Sequence, residues 1–338
     1  MNYPDNLKIG DTIGITAPSC GIREKDILRY KNAIKKIEEK GYKIIETNDV
    51  IREEPREVNA KQRAKEFIKL WENPEVKAII IATGGDFLCE VLDEVDFEKI
   101  KSLKPKWIQG YSDVTNLGYV LTTNLDIPTI YGLNFKTYGM NNWHQSLERT
   151  FQIMNGEDTV FSSYDNCESI ESWLEDKQDP YSDYNLDSKV EWKNIGSEEI
   201  KILGRALGGC FDVIVNLIGT KYDKTKEYIE KYKNDGIVWF FDIFEKSTPM
   251  LFTNLWQMKN AGYFENCKGI IFGRPLFVKE EYDMSFEMAI KESIGNLDIP
   301  IIYDADIGHL APQIPIINGG IIEVISKDGK GTIENKKH

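Results

Sequence analysis

A chain of 338 residues is long for one hydrophobic core, so two domains are expected. Its 41% apolar and 29% charged content is that of an ordinary globular protein. The net charge of −13 argues against a nucleic-acid or anionic-membrane partner, because phosphate recognition needs a basic surface.

The five cysteines, Cys20, Cys89, Cys167, Cys210 and Cys267, are scattered and show no CxxC pairing. That pattern fits a reducing compartment and no structural zinc. The first residues lack a basic stretch followed by an apolar one, and no apolar run approaches bilayer length, so a cytoplasmic location without a membrane partner is expected. His144, His309 and His338 are the three histidines, which narrows the search for a general base.

In chain order, residues 11–17 read as a buried strand with a Pro18-Ser19-Cys20-Gly21 loop. Residues 24–40 carry apolar positions at helical spacing and stop at Gly41. Residues 42–46 form the next strand, 59–71 a second helix and 76–82 a third strand. A fourth strand runs to Gly110 with a helical pattern directly behind it, and residues 128–131 are a fifth. Strands separated by helices of this length predict a mainly parallel, doubly wound sheet over residues 1–155, with its site beyond the carboxyl ends of the strands. The loops at Ser19, Gly84-Gly85 and Ser112 all fall at that edge.

Residues 156–199 are rich in Asp, Glu, Ser and Asn and include Trp173 and Trp192. They read as a linker with short strands, either lying over the site or forming a solvated connector. Periodicity returns over residues 200–338: strands at 201–209, 236–241 and 269–273, helices through 213–218, 249–261 and 285–294, and short strands at 301–303 and 320–325. This is a second, smaller, mixed α/β domain.

Chemistry concentrates in a few places. Gly110-Tyr111-Ser112-Asp113 sets a hydroxyl on a strand-to-helix turn, beside amides that no intrahelical carbonyl satisfies. Ser112 there is either a nucleophile or an N-cap of the helix. Thr83-Gly84-Gly85 ends a buried strand and allows close backbone approach, as an oxyanion donor or as a tight turn. Neither GxGxxG after the first strand nor GxxxxGK[ST] is present. Asp242 stands at the carboxyl end of a strand whose following helix already has Ser247 or Thr248 as its cap, with Glu245 as the rival carboxylate. His309 follows Gly308 in a loop, whereas His144 lies in a polar run and reads as surface.

Taken together these blocks resemble the serine peptidases of the LD-carboxypeptidase (muramoyltetrapeptide carboxypeptidase) family, which includes microcin C immunity-type proteins. The resemblance runs from Gly10-Asp-Thr-Ile-Gly-Ile-Thr-Ala-Pro-Ser19 through Ala82-Thr-Gly-Gly85 and Gly110-Tyr-Ser-Asp113, then Gly204-Arg-Ala-Leu-Gly-Gly209, Gly269-Ile-Ile-Phe-Gly-Arg-Pro275 and Gly308-His309. It implies a flavodoxin-like N-terminal domain carrying Ser112 as nucleophile and a C-terminal domain carrying an acid and His309. The family's glutamate position falls on Asp242, one methylene shorter, with Glu245 as fallback. The oxyanion hole would use the amide of Asp113 and one from Gly84 or Gly85. The elbow departs from the lipase-type GxSxG, since Val114 takes the last glycine position.

The implied activity is hydrolysis of the L,D-peptide bond before the terminal D-Ala of muropeptide tetrapeptides, without metal or organic cofactor. Arg205, Arg274 and Glu245 are the candidates for substrate contact, and either arginine is equally a structural salt-bridge partner. Two other readings stand: cleavage of a microcin C-type peptidyl or aminoacyl nucleotide, with Trp173 or Trp192 stacking on adenine, and a catalytically silent ligand-binding relative. Members of the family are often dimers, which extends the expectation of a homodimer to this chain.

Overall fold

Five apolar segments in the first 131 residues form strands β1 (Thr12–Thr16), β2 (Lys43–Glu46), β3 (Val76–Ile81), β4 (Trp107–Gly110) and β5 (Thr129–Tyr131). The computed structural model of the chain describes residues 1–157 and 159–336. The five strands pair in parallel, in the spatial order β2-β1-β3-β4-β5, with Ile316–Asn318 added beyond β5. This is the flavodoxin-like order, whose switch point lies between β1 and β3. Ile13, Ile15, Ile79, Ile80 and Ile81 are wholly buried, as expected for strands covered on both faces.

The helix Ile27–Glu39 turns Tyr30, Ala33 and Ile37 inward, and Gly41 (φ +91°) ends it in the left-handed conformation that glycine adopts without strain. Asn59 starts the helix Ala60–Glu72 by accepting the Gln62 N–H at 2.9 Å. At the switch point the Cys20 N–H donates to the Gly84 carbonyl at 3.2 Å, so the loops after β1 and β3 are tied. Two guanidiniums support the first of these loops: Arg63 binds the Pro18 carbonyl at 2.7 Å and Arg52 the Ala17 carbonyl at 2.8 Å.

The chain divides into two compact units. The first comprises Met1–Thr159, Glu175–Tyr184 and Pro315–Ile317; the second comprises Val160–Leu174, Asn185–Ile314 and the chain from Asn318 onward. In the second, the strands Glu199–Cys210, Ile237–Asp242, Cys267–Gly273 and Ile301–Ala305 form a parallel centre. Antiparallel partners flank it: Ile321–Lys327 then Lys330–Asn335 on one side, Lys193–Ile195 on the other. Every residue of Ile237–Asp242 is buried, which accounts for its unbroken apolar run.

The acidic segment 156–199 is distributed over both units and does contain short strands, at Thr159–Ser162, Asn166–Cys167, Ser188–Lys189 and Lys193–Ile195. Its Trp192 is buried against the backbone of Gly331, where any Cβ would overlap the indole ring. All five cysteines are free.

Two helix caps test the local reading, one in each unit. Asn59 accepts from Gln62, and Ser285 accepts the Met288 N–H at 3.2 Å ahead of the helix Phe286–Ile294. Asn59→Ala and Ser285→Ala should each lower stability by about 1 kcal/mol in urea unfolding. Ser247→Ala should cost less, because Ser247 occupies an N-cap position without a side-chain cap bond.

Candidate active site

The backbone around Ser112 is shaped by its sequence neighbours. β4 ends at Gly110, Tyr111 is extended, and Ser112 has φ +64°, opening a 3-10 turn over Ser112–Val114 that leads into the helix Thr115–Leu125. Tyr111 holds the N-cap position of the turn and Val114 that of the helix, so Ser112 does not occupy the cap that its residue type suggested. A left-handed non-glycine residue carries strain of order 1–3 kcal/mol, and such strain is typical of a nucleophile on a strand-to-helix elbow.

Close packing holds that conformation. A Cβ on Gly110 would lie 2.7 Å from Val114, so the valine at the last elbow position fills space that glycine at 110 leaves open. A Cβ on Gly84 would lie 3.1 Å from Ser112 Cβ and 3.4 Å from its Oγ, which brings the loop after β3 against the serine. Gly85 is pressed against Ser19 and Cys20 in the same way. The Tyr111 N–H donates to Asn134 Oδ1 at 3.2 Å, and the Ser112 N–H to the Tyr131 hydroxyl at 3.4 Å.

Asp113 contributes more than the amide that sequence reasoning assigned to it. Its buried carboxylate accepts from the Ser19 hydroxyl at 2.5 Å, the Leu88 N–H at 2.9 Å and Asn116 Nδ2 at 2.8 Å. Burial pushes this carboxyl above the usual carboxylate range, while the bonds from Ser19 and Leu88 pull the other way. One side chain thus fastens the β1 loop, the segment after β3 and the start of the helix around the elbow. Local spacing carries no signal of the Ser19 contact, 94 residues away.

The second unit holds the other candidates. Asp242 ends the buried strand Ile237–Asp242, and its Oδ2 lies 2.8 Å from His309 Nδ1. Gly308 (φ +102°) makes that approach possible: a Cβ there would stand 2.1 Å from Asp242 Oδ1. Phe244 lies against the imidazole with ring centroids 4.5 Å apart. Glu245, the rival acid, is exposed, with its backbone N–H directed to Asp212 at 3.4 Å. A carboxylate on Nδ1 fixes the tautomer that leaves Nε2 able to accept a proton.

Both arginines suggested for substrate contact have internal partners. Arg205 donates to Asp235 Oδ2 from Nε at 2.9 Å and Nη2 at 2.6 Å, and its guanidinium covers the Tyr232 ring. Arg274 pairs with Asp306 at 2.5 Å and binds the carbonyls of Leu310 and Pro312. Trp192 directs its indole N–H to Asp306 at 2.9 Å, whereas Trp173 is half-buried and meets Phe277 and Phe244 edge-on. His144 is half-buried and caps the helix Gln145–Met154, accepting the Ser146 N–H at 3.2 Å. His338 lies outside the described residues. Among the described residues, no group of three or more His, Cys, Asp or Glu side chains is arranged to hold a metal ion. None of their helices is long and apolar enough to cross a membrane.

Residues 13–132 match the LD-carboxypeptidase N-terminal domain and residues 203–324 the LD-carboxypeptidase C-terminal domain. The chain belongs to the LD-carboxypeptidase family. It is accordingly a serine-type peptidase in the general sense. Among its relatives are the microcin C7 self-immunity protein MccF of Escherichia coli, 24% identical over 92% of this chain and 89% of that one, and a probable murein peptide carboxypeptidase of Bacillus subtilis, 21% identical over 99% and 95%. The fold is shared with MccF solved in complex with glutamyl sulfamoyl guanosine, at a TM-score of 0.82 and 21% identity, covering 100% of this chain and 99% of that one.

Two substitutions test this geometry. Gly308→Ala inserts a methyl where the Asp242 carboxylate sits, and should reduce peptidase turnover by about 10²-fold or more. Asp113→Ala leaves the buried Ser19 hydroxyl and the Leu88 N–H without their acceptor and should lower stability by about 2–4 kcal/mol in urea unfolding. A wild-type unfolding midpoint for Asp113→Ala would show that its carboxylate does not brace the elbow.

Proposed function

We propose that Ser112, His309 and Asp242 act as one triad that hydrolyses the L,D-peptide bond before the terminal D-Ala of muropeptide tetrapeptides. In this reading His309 Nε2 takes the Ser112 Oγ proton as Oγ adds to the scissile carbonyl carbon. The resulting oxyanion is stabilised by the Asp113 amide and an amide of Gly84-Gly85. Collapse expels D-Ala, whose amine receives the proton from His309, and water then hydrolyses the acyl-enzyme by the same base. No metal or organic cofactor enters these steps, and a cytoplasmic site of action fits the scattered free cysteines.

The observation that carries the reading is the 2.8 Å contact between Asp242 Oδ2 and His309 Nδ1, which readies the imidazole as a base. The strained conformation of Ser112 supports its role as nucleophile. The name of the Bacillus subtilis relative supports the choice of a murein peptide.

A second reading, cleavage of a peptidyl or aminoacyl nucleotide, is favoured by Trp173. This half-buried indole borders Phe244, which itself lies on His309, and offers an aromatic face on which a base can stack. The microcin C7 self-immunity relative supports the same reading.

Fluorophosphonate labelling tests the shared chemistry. Wild-type protein should be modified at Ser112, and labelling should vanish in Ser112→Ala and fall sharply in His309→Ala but not in His144→Ala. A folded wild-type protein that takes no label is a silent binder. Ser112→Ala should lower turnover by about 10⁴-fold or more with little change in thermal stability. Asp242→Asn should be severe and Glu245→Gln mild; the reverse order moves the acid to Glu245. Release of D-Ala from a muropeptide tetrapeptide, set beside cleavage of an aminoacyl sulfamoyl adenosine, decides between the two substrates.

A further inference from the structure

We propose that the buried Arg274–Asp306 ion pair is a positioning device for His309, holding its loop in the shape that keeps Nδ1 on Asp242. The inference rests on the reading of His309 as the catalytic base.

The argument starts from the loop. Asp306 and Pro312 stand three residues to either side of His309, and one guanidinium binds both flanks. Arg274 Nη1 donates to Asp306 Oδ1 at 2.5 Å, while Nη2 donates to the Leu310 carbonyl at 3.0 Å and the Pro312 carbonyl at 2.9 Å. The planar fork of arginine can serve these three acceptors together; a lysine ammonium is a single point on a flexible stem.

Arg274 is itself well placed. It follows the strand Cys267–Gly273, and its N–H donates to the Ala305 carbonyl at 3.0 Å. Beside it the loop passes so close that a Cβ on Gly273 would lie 2.2 Å from the Ile307 carbonyl oxygen.

Asp306 is fully buried, and its second oxygen accepts from Trp192 Nε1 at 2.9 Å and from the Tyr164 N–H at 3.2 Å. Its own carbonyl accepts the Ile314 N–H at 2.7 Å, closing the loop behind Pro312. A buried ion pair adds little net stability over an apolar filling, the more so here because Arg274 Nε has no hydrogen-bond partner, and the best-supported use of such pairs is to specify one geometry. Here the geometry specified is that of the segment bearing His309. This assignment differs from a substrate-carboxylate role for Arg274, because every acceptor named lies within the protein.

The test uses the full chain with 15N-labelled histidine; three imidazoles make assignment simple. Wild-type protein should show a strongly downfield Nδ1–H signal from His309 that Asp242→Asn removes. In Arg274→Lys that signal should shift or broaden while the His144 signals stay in place. Its fluorophosphonate labelling rate and kcat should fall by about 10²-fold, with KM within about twofold. Trp192→Phe, which removes the indole donor to Asp306 and part of the packing on Gly331 but retains the charges, should move the His309 signal in the same direction by a smaller amount. It serves as the second variant should Arg274→Lys not fold.

Unshifted His309 signals with wild-type labelling in both variants would overturn the proposal. So would a raised KM with unaltered labelling in Arg274→Lys, since the fluorophosphonate carries no carboxylate; that result would return Arg274 to substrate binding. If wild-type Ser112 takes no label, the proposed hydrolysis fails on its own, and the His309 signals still decide whether Arg274 positions the imidazole.

Discussion

The contact between Asp242 and His309 depends on a backbone that can come unusually near a carboxylate. Asp242 is fixed at the end of a wholly buried strand, and His309 arrives on a loop whose preceding residue has φ +102° and no side chain. The two requirements at Gly308 are independent: the positive φ disfavours any L side chain, and the space a Cβ would need is already filled by Asp242 Oδ1. The loop bearing His309 therefore lies directly against the short Asp242 side chain.

The elbow in the first unit follows a similar logic with different parts. Ser112 is held at a positive φ that glycine would adopt freely, and the surrounding contacts outweigh that cost. Val114 packs over Gly110, the loop after β3 presses on the serine, and the Asp113 carboxylate gathers donors from three segments. Strain at one residue persists only where neighbours over-determine it. The charged group that does this is buried and acts through hydrogen bonds to its neighbours.

Charge is used in both units to shape loops. Arg52 and Arg63 bind carbonyls beneath the β1 loop, and Arg274 binds carbonyls on the His309 loop. A guanidinium suits this work because it presents several donors in one plane and satisfies backbone carbonyls that a loop leaves unpaired. The acidic segment 156–199 takes part as well. Trp192 completes the acceptor set of Asp306, so part of a stretch that reads as a connector is packed into the second unit.

Much of this protein could be read before any coordinates. The alternation of apolar strands and amphipathic helices dictated a parallel sheet, and the order of glycine-containing blocks pointed to the family, because both are local properties of the chain. Gly41 as a helix stop and the glycine before His309 could be recognised for the same reason: both are decided within a few residues. What a side chain meets across tens of residues was decided only by tertiary structure. Ser19 on Asp113, Arg274 on the flanks of His309, and the inward turn of Trp192 join residues 94, 32–38 and 114 positions apart. Periodicity reports which face of an element is buried and is silent on which polar groups share that interior. Only the folded backbone determines which of them lie within hydrogen-bonding reach.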